Sequence, residues 1–278
     1  MRLLVSDLDG TLIDARTYSF HQAQPALTAL REGGVPLILC TSKTRAEVEL
    51  WRERLEINHP FIVENGGALY IPRGYFPFEI DTTVRRDGYD VIEFGAPYSE
   101  LVQCLRHASE VAGCKVFGFS DMSVAEICLR TFLPIRQAEF AKKREYDEPF
   151  EMVGSNIGGL LAAIEAQGKR WTRGNRFYHI TGANDKRLAV QCVTNLFRRA
   201  AGHVHVIGAG DGHNDAGFLK CVDTPVIVRS PFAVALKVAV PKALVTRVSG
   251  PPGWNEAILS VLRQSPVAEA AGSLPLAG

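Results

Sequence analysis

The sequence predicts an α/β protein whose core is a parallel sheet covered by helices on both faces, with an α+β unit inserted into that core. Short apolar runs alternate with segments of helical periodicity over roughly the first 80 residues, and the same alternation returns after about residue 183. Strands that alternate with helices in this way are typical of parallel sheets, which are buried on both faces. The part of the chain between them follows a different pattern. We therefore expect one Rossmann-like core that is assembled from both ends of the chain.

Each end of the chain supplies its own strands and helices to this core. In the N-terminal part the predicted strands are LLVSDL, VPLILCTS and PFIVENGG, and the predicted helices are AQPALTALREGG and RAEVELWRERLEI. The first of these helices is closed by glycines, a common way for a helix to end. In the C-terminal part the helix KRLAVQCVTNLFRRAAG precedes the strands HVHVIGAGDG and TPVIVRS.

The middle of the chain is predicted to form a separate α+β unit. YDVIEFG, KVFGFSDM, EPFEMVG and RFYHITG have the alternation or composition of strands, and SELVQCLRHASEVAG and SNIGGLLAAIEAQG have that of helices. These segments predict a core over residues 1–82 and 183–264 and an insertion over residues 83–182. The last stretch, 265–278, contains small residues, Pro and Gly and predicts a loose tail.

Composition excludes several classes of protein. Hydrophobic residues make up 46% of the 278 residues and charged residues 22%, which is typical of a folded globular chain. The formal net charge of +1 provides no basic field for a nucleic acid partner. No apolar run approaches the roughly 20 residues that span a bilayer, and acids come too early for a signal peptide, so no membrane partner is expected. The six cysteines form no C-x-x-C pair, which favours reduced thiols and a cytoplasmic location.

Polar residues follow four of the predicted strands. The segments are SDLDGT, CTSKT, VENGG and GAGDGHND, which place acids at the first and last of these ends and hydroxyls with a lysine between them. A single Asp after a strand is more often a turn former or a helix cap than a catalyst. Four such ends favour another explanation, because loops at the carboxyl ends of parallel strands meet at one edge of the sheet. We therefore predict a reactive site at that edge.

Phosphoryl transfer is the chemistry that fits these residue types. A carboxylate can attack phosphorus and form an aspartyl-phosphate, which divides one hard displacement into two easier ones. Attack by one anion on another requires charge neutralisation, and Mg²⁺ prefers the kind of oxygen ligands that Asp7, Asp9 and Asp211 would offer. The Thr41 hydroxyl and the Lys186 ammonium would hold the other phosphate oxygens as charge develops.

Four short motifs resemble those of the haloacid dehalogenase superfamily. They are DLDGT at 7–11, LCT ending at Thr41, Lys186 in ANDK, and GDGHND at 210–215. Their order and spacing match over about 210 residues. The resemblance implies that Asp7 is the nucleophile and Asp9 the general acid/base. An acid at position 9 favours a phosphatase, because it can protonate the leaving alkoxide and then activate water.

The resemblance also implies roles for the remaining motif residues. The metal would be held by the Asp7 side chain, the Asp9 backbone carbonyl and Asp211. Thr41 would bind the phosphate, and Lys186 would steady the nucleophile and the phosphate. Two further residues, Asn214 and Asp215, would tune the last loop without holding the metal themselves.

The inserted unit lies between the second and third motifs, where one branch of sugar-phosphate phosphatases carries a large α+β cap. Four further segments resemble a narrower group in this branch, the mannosyl-3-phosphoglycerate phosphatases: TSKTRAEVE, PFIVENGGALYIP, REYDEPF and RFYHITGANDK. The resemblance implies Mg²⁺-dependent hydrolysis of 2-O-mannosyl-3-phosphoglycerate to mannosylglycerate, a compatible solute, and phosphate. The glucosyl analogue is a second expected substrate, and closure of the cap would exclude water.

Such a substrate carries a carboxylate and a sugar and needs binding groups outside the phosphate pocket. Arg144 is the best candidate in the cap for the carboxylate, because a planar guanidinium binds it through two hydrogen bonds. Glu148, with Asp147, would accept hydrogen bonds from sugar hydroxyls, although a charge run such as AKKREYDE is usually a solvated face. Gly66 would let the backbone approach a ligand closely. The predicted substrate-binding residues are Gly10 (through backbone N–H groups of its turn), Ser42, Lys43, Asn65, Gly66, Arg144, Glu148 and Arg176.

Other functions stay open at this point. The same chemistry would serve sucrose-phosphate, a hexose phosphate or a nucleotide-type ester. A phosphomannomutase-like enzyme would transfer the phosphate to a second sugar hydroxyl instead of water. A non-catalytic sugar-phosphate sensor would keep the fold, although a pure binder has no need of a nucleophile. The expected partner is a small phosphorylated substrate, and the sequence does not indicate an oligomeric state.

Overall fold

A computed structural model of the chain describes residues 1–81, 84–174 and 176–264. The predicted tail over 265–278 lies outside these residues. The described residues form one sheet of nine strands and a second sheet of four strands. No helix within the described ranges is long and apolar enough to cross a membrane.

The elements have the following bounds. In chain order the strands are β1 (Arg2–Ser6), β2 (Leu37–Cys40), β3 (Phe61–Val63), β4 (Ala68–Pro72), β5 (Val84–Arg86), β6 (Tyr89–Glu93), β7 (Lys115–Gly118), β8 (Asp147–Val153), β9 (Arg170–Arg173), β10 (Tyr178–Thr181), β11 (His205–Gly210), β12 (Thr224–Ile227) and β13 (Leu244–Val245). The α-helices are α1 (Gln24–Glu32), α2 (Arg45–Arg54), α3 (Tyr98–Ala112), α4 (Val124–Thr131), α5 (Ile135–Ala141), α6 (Ile157–Ala166), α7 (Lys186–Ala201), α8 (Ala216–Leu219), α9 (Ala233–Ala239) and α10 (Gly250–Arg263).

The large sheet has the strand order β13-β12-β11-β1-β2-β3-β4-β6-β5. Its strands from β13 to β3 are parallel, and β4, β6 and β5 continue it in antiparallel pairing. The carboxyl ends of β11, β1, β2 and β3 therefore lie side by side at one edge. This arrangement brings the loops after these strands together, as the sequence predicts.

The apolar run of β1 is explained by burial on both faces of the sheet. Leu3, Leu4 and Val5 are all fully buried. Leu4 packs in the same cluster as Trp254 of α10, whereas Leu3 and Val5 pack on the other face in the cluster of Phe197 from α7. Successive side chains of a strand point to opposite faces, so a strand covered on both sides must be apolar at every position.

Two helices begin at the edge where the strand ends meet, and side-chain caps fix where they begin. Thr44 and Glu47 form a reciprocal capping box at the start of α2. The Asp185 carboxylate accepts a backbone N–H at the start of α7. Such caps satisfy backbone donors that the helix itself leaves free. They place Lys43 just before α2 and Lys186 at the first position of α7.

The small sheet is antiparallel, with the order β7-β8-β10-β9. Leu105 of α3 and Ile164 of α6 are buried together with Phe150 of β8, so these two helices cover the sheet and form a core of their own. A second small cluster, which includes Phe119 and Phe177, packs with α4 and α5. This unit is the predicted α+β cap.

The positions of strands β5 and β6 differ from the prediction that the inserted unit begins at residue 83. The sequence assigns YDVIEFG to the inserted unit, but β6 pairs with β4 from Ala68↔Glu93 to Pro72↔Tyr89 and so extends the core sheet. Alternation identifies a strand, but the partner of that strand depends on packing that is distant in sequence. We propose that the cap begins after Gly95 and ends near Gly182.

Residues 143–147, which we call the strap, lie in the cap and contact the core. Tyr146 is only 5% exposed and packs in the main core cluster. The Glu64 carboxylate accepts the backbone N–H groups of Glu145 and Tyr146, the latter at 2.8 Å. A Cβ atom at Gly67 would lie 2.4 Å from Cβ of Tyr146, so this glycine makes room for the strap. The cap is therefore attached to the core by the strap as well as by its two linkers.

Candidate active site

Three charged side chains meet where β1, β11 and α7 come together. The Lys186 ammonium lies 2.6 Å from Asp7 Oδ1 and 2.7 Å from Asp215 Oδ1. Lys186 is 1% exposed and Asp215 is fully buried, so water and salt screen these ion pairs little. Asp7 follows β1 directly, and Asp215 lies in the loop after β11, the strand that pairs with β1. The sheet order thus explains why residues so far apart in sequence make contact.

Asp211 completes an acidic cluster with Asp7 and Asp215. One carboxylate oxygen from each of the three lies within 4.8 Å of the others. Thr11 donates a hydrogen bond to Asp211 Oδ1 at 2.9 Å. Asp215 has both oxygens engaged, Oδ1 by Lys186 and Oδ2 by two backbone N–H groups of its own loop. Asp7 and Asp211 are therefore the carboxylates of this cluster that are better placed to hold a metal, and Asp215 positions Lys186.

Among the described residues of this cluster, three carboxylates lie around one ammonium, that of Lys186. Burial raises the pKa of Asp7 well above its usual value, Lys186 acts in the opposite direction, and the charges of Asp215 and Asp211 raise it further. Burial alone would lower the pKa of Lys186, but attraction by Asp215 and Asp7 raises it above its usual value and keeps the ammonium charged. A divalent cation with oxygen ligands would offset the excess negative charge, so the donor set fits such an ion.

Asp9 lies beside this cluster and is held by a second lysine. Lys43 Nζ lies 3.1 Å from Asp9 Oδ2 and 3.3 Å from Glu47 Oε1. Burial would lower the pKa of Lys43, but the charges of Asp9 and Glu47 raise it overall. The Asp9 side chain is 30% exposed and so stays accessible from the cleft. Lys43 was predicted to bind substrate; it lines the cleft, but its ammonium is shared by these two carboxylates.

Thr41 and Ser42 follow β2 and face the same region. Thr41 is fully buried, and its Oγ1 accepts the backbone N–H of Lys43 at 3.2 Å, which leaves the hydroxyl proton for another acceptor. The carbonyl of Ser42 accepts a hydrogen bond from Arg144 Nη1 at 2.8 Å. Ser42 therefore connects the strand end to the strap.

The Gly10 turn was predicted to bind substrate through its backbone N–H groups, and the N–H of Gly10 itself is used within the turn. Gly10 has φ +82°, a conformation that favours glycine, and its N–H donates to the Ile13 carbonyl at 2.8 Å. Leu8 and Asp9 supply the backbone N–H groups of this turn that bond to no described residue. The turn can still bind an anion, but through those two groups.

Asn65 and Gly66 connect parts of the protein to one another. Asn65 Nδ2 donates to Asp147 Oδ2 at 2.6 Å, and Asn65 Oδ1 accepts from Asn214 Nδ2 at 2.9 Å. Gly66 has φ +85°, and a Cβ atom there would lie 2.3 Å from the carbonyl oxygen of Asp185. The loop before α7 therefore approaches this glycine closely.

A cleft between core and cap opens onto these groups. Its lining includes Asp7, Asp9, Ser42, Lys43, Asp211, Asn214, Arg144, Arg176, Phe119, Phe177 and His179. Arg176 donates to the Ala15 carbonyl and lies 3.2 Å from the Tyr18 hydroxyl, both in the core. The two predicted cap arginines thus line the cleft and also tie the cap to the core.

Glu148 was predicted to bind sugar hydroxyls, and the structure places it outside the described lining of this cleft. Its Oε1 accepts the N–H and the hydroxyl of Ser120 at 2.9 and 2.6 Å, and its Oε2 accepts the Tyr98 hydroxyl at 2.7 Å. Glu148 and Asp147 are neighbours on β8, so their side chains point to opposite faces of the sheet. The sequence could not show which of the two faces the core.

The sequence pattern did not single out Glu47 or Tyr18, although both line the cleft. The T-x-x-E capping signature of Thr44 and Glu47 was a signal that the Glu47 side chain is fixed near Lys43. His179 also lines the cleft, and its partner Asp147 is 32 residues away in sequence. No local pattern could reveal that pair.

Comparison with known proteins places the chain in a family. Residues 4–79 match a family model described as haloacid dehalogenase-like hydrolase. A protein of Methanococcoides burtonii named glucosyl-3-phosphoglycerate/mannosyl-3-phosphoglycerate phosphatase is 40% identical over 267 residues, which cover 94% of this chain and 97% of that relative. This chain belongs to the haloacid dehalogenase-like hydrolases. A relative of the same name from Persephonella marina is 38% identical over 265 residues, with 94% and 97% covered.

Solved structures of this superfamily show the same fold. A sugar phosphatase of its subclass IIB superimposes with a TM-score of 0.64 at 18% identity and covers 94% of this hydrolase and 99% of its own chain. The predicted family, the α/β fold with a cap and the class of phosphatase enzymes are confirmed. The individual roles of the site residues and the identity of the metal stay predictions.

The close contact between Gly66 and Asp185 predicts that a side chain at position 66 would destabilise the protein. Gly66→Ala should lower the free energy of unfolding by about 2 kcal/mol or more, because strain at positive φ adds to a clash with the Asp185 carbonyl. The matched control is Gly88→Ala, where φ is +86° but no atom lies within 4 Å of the added Cβ. Urea unfolding of both variants measures the difference. Equal losses would show that the backbone conformation alone, and not the approach of Asp185, requires Gly66.

Proposed function

We propose that this hydrolase removes the phosphate from mannosyl-3-phosphoglycerate and glucosyl-3-phosphoglycerate, releasing the glycosylglycerate and phosphate. The observation that carries the proposal is the contact of Asp7 with Lys186 and Asp215 beside Asp9, at the mouth of a cleft lined by cap arginines. The names of two relatives that align over 94% of this chain include both esters. That alignment favours both sugars as substrates.

The first step is attack by Asp7 on the phosphorus. Lys186 holds Asp7 Oδ1, and Asp7 Oδ2 accepts no hydrogen bond from the described residues, so Oδ2 is the attacking oxygen. The new oxygen–phosphorus bond forms as the bond from phosphorus to the glycerate oxygen breaks. Asp9 gives its proton to that leaving oxygen. The product of this step is an aspartyl-phosphate and a free glycosylglycerate.

The second step regenerates the enzyme. Asp9, now a carboxylate, takes a proton from a water molecule whose oxygen attacks phosphorus on the side opposite Asp7. The bond between Asp7 and phosphorus breaks, and phosphate leaves. Lys43, which also pairs with Glu47, holds the Asp9 side chain near its reacting atoms throughout. The Thr41 hydroxyl and the N–H groups of the turn at Leu8 and Asp9 donate to the phosphate oxygens.

Mg²⁺ is the proposed cofactor, held by the carboxylates of Asp7 and Asp211 and by the carbonyl of Asp9. When bound, it supplies the positive charge that lets an anionic nucleophile approach an anionic phosphate. The excess of carboxylates over ammonium groups in this cluster supports a divalent ion. Asn214 and Asp215 shape the loop that carries Asp211.

Arg144 is proposed to bind the glycerate carboxylate. It lines the cleft, and its side chain is 6% exposed. Its Nε and Nη1 donate to the carbonyls of Ala141 and Ser42, and Nη2 forms no hydrogen bond with the described residues. That arrangement fixes the guanidinium and leaves a donor for a carboxylate. The reaction is proposed to take place in the cytoplasm, which the cysteines, all free in the structure, support.

The substrate and metal are tested by phosphate release from mannosyl-3-phosphoglycerate, glucosyl-3-phosphoglycerate, sucrose-6-phosphate and mannose-6-phosphate, each with magnesium and with EDTA. We expect both glyceryl esters to be preferred by at least about tenfold in kcat/KM, because a site built around buried polar groups discriminates strongly. EDTA should abolish turnover, and added magnesium should restore it. Similar rates on all four esters would contradict the proposed substrate, and activity unaffected by EDTA would contradict the metal.

The two cap residues predicted to bind substrate should behave differently. Arg144→Lys should raise KM for mannosyl-3-phosphoglycerate by about tenfold, because an ammonium cannot reproduce the fixed donors of a guanidinium. Glu148→Gln should leave KM within about twofold, because its carboxylate bonds to Ser120 and Tyr98 away from the cleft. Steady-state kinetics of the two variants, with circular dichroism to check folding, measure this. An equal rise of KM in both would contradict the assignment.

A further inference from the structure

His179 of β10 lines the cleft but has no part in the chemistry proposed above. Its side chain is 6% exposed, and its Nδ1 lies 2.8 and 3.1 Å from the two carboxylate oxygens of Asp147. An imidazole that is buried and held by one nitrogen has a fixed orientation. The position of the other nitrogen, Nε2, is therefore set by the fold.

The surroundings of Asp147 determine which nitrogen of His179 carries the proton. Asp147 is fully buried, which tends to raise its pKa, but attraction by His179 and Arg144 and a hydrogen bond from Asn65 keep that pKa below its usual value. An ionised carboxylate only accepts hydrogen bonds, so His179 Nδ1 must be the donor. Arg144 Nη1, 3.5 Å from Asp147 Oδ1, supplies a permanent counter-charge. His179 Nε2 is therefore the ring nitrogen that remains for a group in the cleft.

Nε2 is the ring nitrogen of His179 that Asp147 does not hold. No described residue forms a hydrogen bond with it. Gly174, which also lines the cleft, lies beside it, and a Cβ atom at Gly174 would be 3.2 Å from Nε2. The missing side chain at this position leaves space for a group that approaches from the cleft. Phe119 and Phe177 provide apolar surface nearby in the same lining.

We propose that His179 is a specificity-determining residue whose Nε2 forms a hydrogen bond with a sugar hydroxyl of the substrate. The inference rests on the proposed function, because it needs a glycosyl ester in the cleft. A sugar hydroxyl can donate a hydrogen bond or accept one, so it suits Nε2 whether or not that nitrogen carries a proton, and the cleft already offers Arg144 for the carboxylate. Asp147 is the positioning residue that fixes the tautomer and the ring.

A merely structural role for His179 would have a different consequence. Asp147 is joined through Asn65 to Asn214 in the loop that carries Asp211. Loss of the His179–Asp147 contact would therefore disturb phosphate chemistry on every substrate. Loss of the Nε2 contact alone would affect only substrates that carry the sugar. The two roles are separated by comparing a glycosyl ester with an ester that lacks the sugar.

The test uses His179→Asn in the full chain. Asn places its amide nitrogen near the position of Nδ1, so it can still donate to Asp147, but it has no atom at the position of Nε2. We expect His179→Asn to lower kcat/KM for mannosyl-3-phosphoglycerate by about tenfold, mainly through KM, as expected when a buried hydroxyl contact is lost. Hydrolysis of p-nitrophenyl phosphate should stay within about twofold of wild type.

Gly174→Ala is an independent variant that leaves the His179–Asp147 contact in place. The added methyl group would crowd Nε2 of His179, so this variant should show the same selective loss of activity on the glycosyl ester. If His179→Asn fails to fold, Gly174→Ala provides the test by itself. Unchanged kinetics on the glycosyl ester, or equal losses on both esters, would overturn the inference. A wild-type enzyme that hydrolyses p-nitrophenyl phosphate but neither glycosyl ester would overturn the proposed function itself.

Discussion

A buried ammonium, that of Lys186, organises the reactive end of this protein. Removing a charge from water costs several kcal/mol, and the cost is recovered only when partners surround it closely. Lys186 has two such partners, Asp7 after β1 and Asp215 after β11. These contacts fix the relative positions of the first and last motifs, which are more than 200 residues apart in sequence. The other features of the site are arranged around this contact.

The same constraint extends to the strand ends and to the cap. Lys186 begins α7, and the loop before it packs so closely on Gly66 that a side chain there cannot be accommodated. Asn65, the residue before Gly66, hydrogen-bonds to Asp147 of the cap and to Asn214 of the last motif. The cap is therefore held to the phosphate site by buried polar contacts and by the strap, and a cleft forms between the two. Its core end carries acids and its cap end carries arginines and a histidine.

Much of this arrangement could be predicted from the sequence, and the exceptions have a common cause. The apolar run of β1 and the polar residues after it predicted a buried strand and a site, because burial on both faces leaves a strong local pattern. The assignment of β6 to the inserted unit was wrong, since its pairing with β4 is decided by contacts distant in sequence. Glu148 and Gly66 were predicted to bind substrate from their residue types, and no local pattern predicted their contacts with Ser120 and with the Asp185 carbonyl. Residue type indicates that a position is constrained, and the fold shows what constrains it.

The central claim is that Asp7 becomes phosphorylated during turnover, and it is tested most directly by chemical trapping. Enzyme mixed with mannosyl-3-phosphoglycerate and magnesium would be quenched in acid within one turnover and reduced with borohydride, which converts an aspartyl-phosphate to homoserine. Mass spectrometry of the N-terminal peptide should then find homoserine at position 7, and the Asp7→Asn variant, folded but inactive, should show none. Phosphate release without any modification of Asp7, or near-normal turnover by Asp7→Asn, would contradict the account.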